Sequence, residues 1–296
     1  MCNRKTVLSL IMACCVIIVS SCGAAPSNKT ENAPTVVVST PTETPVPTNT
    51  PTPTNTPTPT RKPASEGLEF TLNEDGNSYS VSGFGTCTDE NLIIPSVYNG
   101  KPVTAIYRLV PDENDNHLDL LANNTIVSVE IPDSVTVIGD CAFARCDELR
   151  SVIIPNSVTS IGSCAFYSCE KLNNVSISEA ATKIGRHAFA YCNALEEVSI
   201  PGSVKTIGLK AFYKLESLQK VTFHEGLETI EEKAFGKCHL LKEIEIPSTV
   251  MSIGRSAFQG EYLVSITIPP HLYDIEAIDY WGVMNERTCK IIVNEN

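Results

Sequence analysis

The chain has 296 residues, enough for one sizeable domain or two small ones, and its formal net charge is -12. From residue 66 onward, 17 Lys and Arg stand against 32 Asp and Glu. No basic patch is apparent, so a polyanion such as nucleic acid is expected to be repelled, and nucleic-acid binding is not predicted.

The first segment, residues 1–22, has the order of features typical of a secreted lipoprotein. A short basic start precedes an apolar run, Val7–Val19, which is short for a membrane span but suits the core of a signal peptide. The run ends in Val-Ser-Ser-Cys, which resembles the lipobox of bacterial lipoproteins. That resemblance implies that Cys22 becomes the N-terminus and carries membrane lipid, including palmitate, on the extracellular face of the cell membrane. An ordinary secretory signal cleaved nearby is the alternative.

A stalk is predicted next, over residues 23–65, which contain almost no large apolar side chains and include a Thr-Pro tract. Such a segment buries too little surface to offset the entropy of ordering it, so it is expected to be disordered. Proline favours extended polyproline II, in which this stalk would reach on the order of 100 Å from the membrane. A plain spacer and a peptide ligand for a partner domain are both open.

A 23-residue repeat fills most of the remaining chain. Its in-frame copies start at Val129, Val152, Val175, Val198, Val221 and Ile244, with a seventh start at Ile266. The shared pattern is V-x-I-P-x-x-V-x-x-I-G-x-x-A-F-x-x-C-x-x-L. Self-similarity at a fixed period predicts a solenoid in which each repeat is stabilised by its neighbours. We assign residues 66–128 to an N-terminal cap with a divergent first repeat, 129–275 to the repeats and 276–296 to a C-terminal cap.

Each position of the pattern has a structural interpretation. Val152 and Ile154 exemplify a short strand with one buried face, which the following proline ends. Val135 and Ile138 begin a second buried line. The recurrence of glycine after that line, from one repeat to the next, predicts a turn conformation that disfavours side chains. Glu231 replaces this glycine, so the fifth repeat is expected to turn differently. Ala-Phe predicts a stacked phenylalanine ladder, with alanine letting the coils approach.

The ends of the array depart from the pattern. Residues 92–95 predict a first strand, and the segments LEFTL and YSVSGF predict two strands of the N-terminal cap. Residues 107–125 form a long polar insertion. At the other end, Tyr280, Trp281 and a strand-like stretch at 289–293 are expected to seal the last coil.

The combination of L-x-x-V-x-I with I-G-x-x-A-F-x-x-C resembles the BspA-like leucine-rich repeats of bacterial surface proteins, over about residues 92–275. The resemblance implies an α/β-type, right-handed leucine-rich-repeat solenoid made mainly of short parallel β-strands, with a sheet on its concave face. It also implies surface exposure and binding, including adhesion to host matrix proteins. The ligand varies among members and does not carry over.

Cysteine is frequent, with 12 in the chain. Four share one repeat column: Cys146, Cys169, Cys192 and Cys238. Because Leu215 takes this column in the fourth copy, the column is interpreted as buried thiols. The C-x4-C pairs, such as Cys141 with Cys146, leave zinc binding as a weaker alternative, and a Cys141–Cys164 disulfide between adjacent coils is another. No cofactor or metal site is predicted.

No catalytic residue is predicted either. The histidines occupy scattered repeat positions, and the repeat geometry suggests no Ser-His-Asp or Cys-His pairing. His224, which replaces a strand-ending proline, is interpreted as drift. There is no phosphate-binding loop and no metalloprotease motif. A surface hydrolase is therefore only a remote alternative, since it would need a convergent pair of titratable groups.

Outward positions of the concave sheet are the candidate ligand-binding residues. They are Glu130, Ile153, Asn174, Glu197, Ser199, Lys220, Thr222, Glu243 and Glu245. Three of the carboxylates are expected to cluster in the C-terminal half. The leading hypothesis is that a monomer binds an extracellular protein or glycan in this groove, for adhesion or recognition. The alternatives are a ligand at an end or at the insertion, and an envelope scaffold or accessory lipoprotein that binds a neighbouring envelope protein.

Overall fold

The computed structural model describes residues 63–107, 125–260, 263–283 and 289–294. Cys22, the signal segment, the stalk and most of the polar insertion lie outside the described residues, so what the sequence predicts for them stays a prediction. The described chain winds into a solenoid of about eight coils with almost no helix.

Short strands account for the regular structure of the described residues. They are β1 (Glu69–Leu72), β2 (Tyr79–Gly83), β3 (Asn91–Ile93), β4 (Val97–Tyr98), β5 (Lys101–Ile106), β6 (Ser128–Glu130), β7 (Val137–Ile138), β8 (Ser151–Ile153), β9 (Ser160–Ile161), β10 (Asn174–Ser176), β11 (Lys183–Ile184), β12 (Glu197–Ile200), β13 (Thr206–Ile207), β14 (Lys220–Phe223), β15 (Thr229–Ile230), β16 (Glu243–Glu245), β17 (Ser252–Ile253), β18 (Ser265–Ile268) and β19 (Lys290–Val293). Helix in the described residues is limited to a 3-10 turn, Pro270–Leu272, and one α-helix, α1 (Ile275–Tyr280).

Each repeat contributes two short strands, and each of them pairs in parallel with the equivalent strand of the neighbouring coil. The first carries the V-x-I motif, in which Val152 is buried and Ile153 is exposed. The second ends at the buried isoleucine of the pattern, such as Ile161. Pairing advances by one repeat at a time, because Val152 pairs with Val175 and Ile161 with Ile184. The 23-residue period and the alternation are therefore confirmed, while the second buried line is a strand that the sequence analysis did not predict.

The second strands form one continuous sheet, but the first strands do not. Strands β5, β7, β9, β11, β13, β15 and β17 pair in that order. The V-x-I strands divide into β10-β8-β6-β3, β12-β14 and β16-β18-β19, so the prediction of one sheet on that side is wrong. Both interruptions follow a coil in which the strand-ending proline is replaced, by Ser178 after β10 and by His224 after β14. Both replacement residues hydrogen-bond to the previous coil: the Ser178 hydroxyl donates to the Val158 carbonyl at 2.6 Å, and the His224 amide donates to the Ile200 carbonyl at 3.2 Å.

A ladder of phenylalanine rings fills the core, as predicted. Neighbouring rings stack with centroids 5.1 to 5.9 Å apart. The members are Phe143, Phe166, Phe189, Phe212, Phe235 and Phe258. Between coils, the backbone amide of each phenylalanine except the last donates to the alanine carbonyl of the next coil, as from Phe166 to Ala188 at 2.7 Å, and the Phe258 amide donates to the Trp281 carbonyl. Alanine therefore allows the close approach that the ladder and these hydrogen bonds require.

The glycine column serves coil stacking rather than a left-handed turn. Gly185 has no positive φ, but a Cβ there would lie 2.4 Å from the backbone of the previous coil. The left-handed residue comes two positions later, at His187 with φ 54°, whose equivalents in the other coils behave alike. Glu231 leaves the fifth repeat turning like the others: its amide donates to Ile207 at 2.9 Å and its carboxylate accepts from the Leu209 amide. Both sequence expectations about this column are wrong.

The two ends cover the exposed coils. Strands β1 and β2 form an antiparallel hairpin, and β2 pairs in parallel with β5. At the other end β19 pairs with β18, and Trp281 is buried against the core. These strands and the tryptophan are where the sequence predicts them. Tyr280 differs, because its side chain is 55% exposed and only its carbonyl serves the last coil, accepting from the Ser256 amide at 2.8 Å.

Buried thiols occupy the predicted cysteine column. The Cys169 thiol donates to the Phe143 carbonyl of the previous coil at 3.1 Å, and burial raises the pKa of the Cys238 thiol to about 12. The interpretation of the column as buried thiols is confirmed. Cys141 and Cys164 are half-buried thiols that hydrogen-bond to each other rather than a disulfide, and this hydrogen bond is the first cause of the raised pKa of Cys164.

Candidate binding face on the V-x-I strands

The nine predicted binding residues all lie on the outward side of the V-x-I strands, which we call the strand face. Alternation along a strand sends every second side chain away from the core. Eight of the nine are exposed, and Thr222 is half-buried. Ile153 stands out, because its aliphatic side chain is 73% exposed. A single exposed aliphatic residue is common on protein surfaces, so Ile153 does not by itself mark a binding site.

An open depression of about 450 Å³ lies where the first interruption divides the strand face. It is lined by Asn173, Asn174, Val175, Glu197, Val198, Ser199 and Thr222. Four of the nine predicted residues therefore meet in one place. Strands β10 and β12 border the depression without pairing with each other. Backbone groups along such unpaired strand edges can hydrogen-bond to a ligand.

Polar side chains surround this depression in complementary pairs. In the β12–β14 register, Glu197 stands beside Lys220 and Ser199 beside Thr222. The Ser199 hydroxyl shares a hydrogen bond with His224 Nε2, 3.0 Å away. The sequence analysis missed His224 as part of the site, although a histidine in the proline column was the available signal. These side chains offer both hydrogen-bond donors and hydrogen-bond acceptors, and the charges of Glu197 and Lys220 offset each other.

The expected cluster of three carboxylates is divided by the sheet boundaries. Glu243 and Glu245 share β16 and both point outward, whereas Glu197 belongs to the separate β12–β14 sheet. Lys220 of β14 lies in the coil between them. All three carboxylates lie in the C-terminal half of the array, but they do not share one sheet, and the Lys220 cation separates Glu197 from the other two. Glu130 and Ile153 lie in the third group, the sheet built on β3, β6, β8 and β10.

The contact between Ser199 and His224 is the closest approach to catalytic geometry on this face, and it is a pair rather than the Ser-His-Asp arrangement that the sequence analysis considered. A serine nucleophile also needs a third group that orients the imidazole and donors for an oxyanion. Both residues are exposed, and in the part of the chain that the structure describes no carboxylate is hydrogen-bonded to His224. The pair is better suited to binding than to acyl transfer.

Neither a metal centre nor a membrane helix is found in the described residues. No group of three or more His, Cys, Asp or Glu side chains is arranged there to hold a metal ion. Over the same ranges, no helix has both the length and the apolar character needed to cross a bilayer.

Folding also gathers cations that the sequence analysis did not connect. In the turns that carry Ala-Phe, the third to sixth coils contribute Arg186, Lys210, Lys214, Lys233, Lys237 and Arg255. Glu231 and Glu232 are the carboxylates within the same turns of these coils, and the Glu231 carboxylate accepts from the Leu209 amide. The statement that no basic patch exists is therefore wrong for the folded chain, because residues 23 positions apart become neighbours only when the coils stack.

Comparison with known proteins agrees with this architecture. The model of the BspA type leucine rich repeat region matches in six copies, over residues 119–240 and 163–285. No protein of curated function matches the sequence significantly. Among solved structures, the pneumococcal vaccine antigen PcpA is 22% identical with a TM-score of 0.47, covering 69% of this chain and 48% of its own. The chain thus spans about half the length of that protein.

Two further solved structures are similar. The leucine-rich-repeat protein TpLRR from T. pallidum is 19% identical with a TM-score of 0.40, covering 79% of this chain and 86% of its own. A leucine-rich cell surface protein from Faecalibacterium prausnitzii is 20% identical with a TM-score of 0.29, covering 80% of this chain and 96% of its own.

Proposed function

The chain belongs to the BspA-type leucine-rich-repeat family, and from that premise we propose that it is a cell-surface recognition protein whose strand face binds an extracellular protein or glycan. Proteins of this family are typically binding proteins at the cell surface rather than enzymes. Adhesion is the form of recognition that we propose for this chain.

The depression on the strand face is the observation that carries the proposal. Asn174, Glu197 and Ser199 line it with amide, carboxylate and hydroxyl groups. Two unpaired strand edges border it, so side-chain and backbone groups converge on the same space. A partner that presents both donors and acceptors, such as an extended peptide or a sugar, can satisfy such a surface.

Display at the membrane is part of the same proposal. We propose that Cys22 carries the lipid and that residues 23–65 form the stalk, which would hold the recognition domain away from the membrane. Mass spectrometry of the protein extracted from membranes tests this part. An acylated N-terminal cysteine supports the anchor, whereas a Cys22→Ala variant that is still membrane-bound would contradict it.

A matched pair of variants tests the binding surface. Glu197→Lys and Glu243→Lys make the same charge change at the same strand position, one in the depression and one two coils away. Full-length protein is titrated against arrays of matrix proteins and glycans. For a ligand of the depression we expect Glu197→Lys to weaken binding at least about tenfold, since a desolvated hydrogen bond to a charged group is replaced by repulsion.

The outcomes separate the alternatives. Equal loss in both variants would indicate nonspecific attraction to the acidic surface. If neither variant changes binding, the ligand must bind at an end of the solenoid or at the insertion at 107–125. The recognition proposal fails if the protein binds no extracellular ligand saturably and instead co-purifies with one envelope protein from detergent extracts. That result would identify an envelope scaffold.

A further inference from the structure

A second exposed feature runs along the Ala-Phe turns, apart from the strand face. Three half-buried tyrosines from successive coils contact one another there: Tyr167 and Tyr191 have ring centroids 5.3 Å apart, and Tyr191 and Tyr213 have centroids 5.9 Å apart. The buried phenylalanine ladder lies between these turns and the V-x-I strands, as the contact of Phe235 with Phe223 of β14 shows. The tyrosines therefore form a line on a different side of the coil.

Lysine side chains interleave with these rings. Lys214 Nζ lies 5.3 Å from the Tyr191 centroid, and Lys210 and Lys237 lie 5.5 and 5.8 Å from that of Tyr213. We call the three tyrosines and these three lysines the turn-face ridge. Nearby carboxylates are few: Glu216 approaches Lys214 at 3.7 Å, and Glu232 is paired with Lys233 at 2.9 Å.

The electrostatic environment of the ridge is positive. Burial, followed by the charges of Arg186 and Lys210, lowers the pKa of His187 to about 4. This field is local, because the chain as a whole carries a net charge of -12.

We propose that the turn-face ridge binds an acidic polysaccharide that lies along the solenoid axis. The lysines would contact carboxylate or sulfate groups, and the tyrosine rings would pack against the apolar faces of the sugars. Each coil repeats the turn, so contacts recur along the axis as they recur along a linear polymer. This site is independent of the proposed ligand of the strand face.

Charge density favours a polysaccharide over nucleic acid. The ridge alternates cations with aromatic rings, which matches a polymer whose charges are separated by apolar ring faces. Double-stranded DNA carries one charge about every 1.7 Å, and its affinity depends on neutralising many of them at once. The acidic remainder of this chain opposes so dense a polyanion, while a sparsely charged chain can contact the ridge alone.

The test measures binding of full-length protein to labelled hyaluronan, chondroitin sulfate, neutral dextran and a single-stranded oligo(dT). Saturable binding is expected for the acidic polysaccharides and not for dextran. The variant Lys210→Gln/Lys214→Gln/Lys237→Gln should weaken this binding by about tenfold or more, because three charge contacts are lost. Tyr191→Leu, which keeps an apolar side chain, should weaken it by about threefold without changing its salt dependence.

The control removes three lysines outside both proposed sites, in Lys171→Gln/Lys183→Gln/Lys205→Gln, and so changes the net charge equally. It should bind like the parent, as should Glu197→Lys. Unchanged thermal melting of the ridge variant shows that it is folded. The proposal is overturned by a lack of binding to either acidic polysaccharide, by equal loss in the ridge and control variants, or by oligo(dT) binding as tightly through the same lysines.

Discussion

Replacing Phe189 with alanine tests whether the phenylalanine ladder holds the coils together. Phe189 is fully buried, and its ring stacks on Phe166 and Phe212 with centroids 5.1 and 5.3 Å away. Truncating a buried phenylalanine costs about 3–5 kcal/mol. We expect the upper part of that range, about 4–5 kcal/mol, because two aromatic contacts of about 0.5–1.5 kcal/mol each are lost and the neighbouring rings are held by their own coils.

The end of the ladder provides the comparison. Phe258 stacks on one ring of the ladder, Phe235, at 5.9 Å. Its replacement by alanine should therefore cost less than that of Phe189, by about 1 kcal/mol. Urea unfolding of the full-length variants, monitored by circular dichroism, gives both free energies of unfolding. A loss below about 2 kcal/mol at Phe189, or an equal loss at both positions, would refute a core built on ring stacking.

Three further predictions concern single positions. Gly185→Ala should destabilise the fold strongly, because the added Cβ would lie 2.4 Å from the previous coil. Gly260→Ala should be tolerated, because the nearest atom to its added Cβ is 3.6 Å away. Thermal melts of the two variants compare these effects. Stability should fall as the pH drops from 6.5 towards 4, since the unfolded chain takes up a proton that folded His187, with its pKa lowered to about 4, excludes. His187→Asn should reduce that fall in melts recorded across this range. Cys192 and Cys238 should resist alkylation in the folded protein and react in urea, because only the thiolate is nucleophilic and both thiols are buried.

The repeat unit could be predicted because it is written in every copy. Val152 and Ile154 alternate with an exposed residue, and the Ala-Phe pair recurs every 23 residues. The repeat length and the buried positions could therefore be predicted from the sequence pattern alone. Leucine at position 215 identified its column as apolar. The outward positions of the strand face followed from the same alternation. The role of the glycine could not be predicted in this way, because a close approach between coils and a left-handed turn both favour glycine.

The amino-acid sequence by itself determined the period, the inward-facing residues and the family of this protein, since these depend on residue type at fixed spacing. Only the tertiary structure decided where the V-x-I sheet is interrupted, that Glu197 and Asn174 line one depression, and that Lys214 lies over Tyr191. Those relations join residues of different coils. Their geometry depends on how each strand leaves its coil and how each turn stacks on the next, which no single repeat encodes.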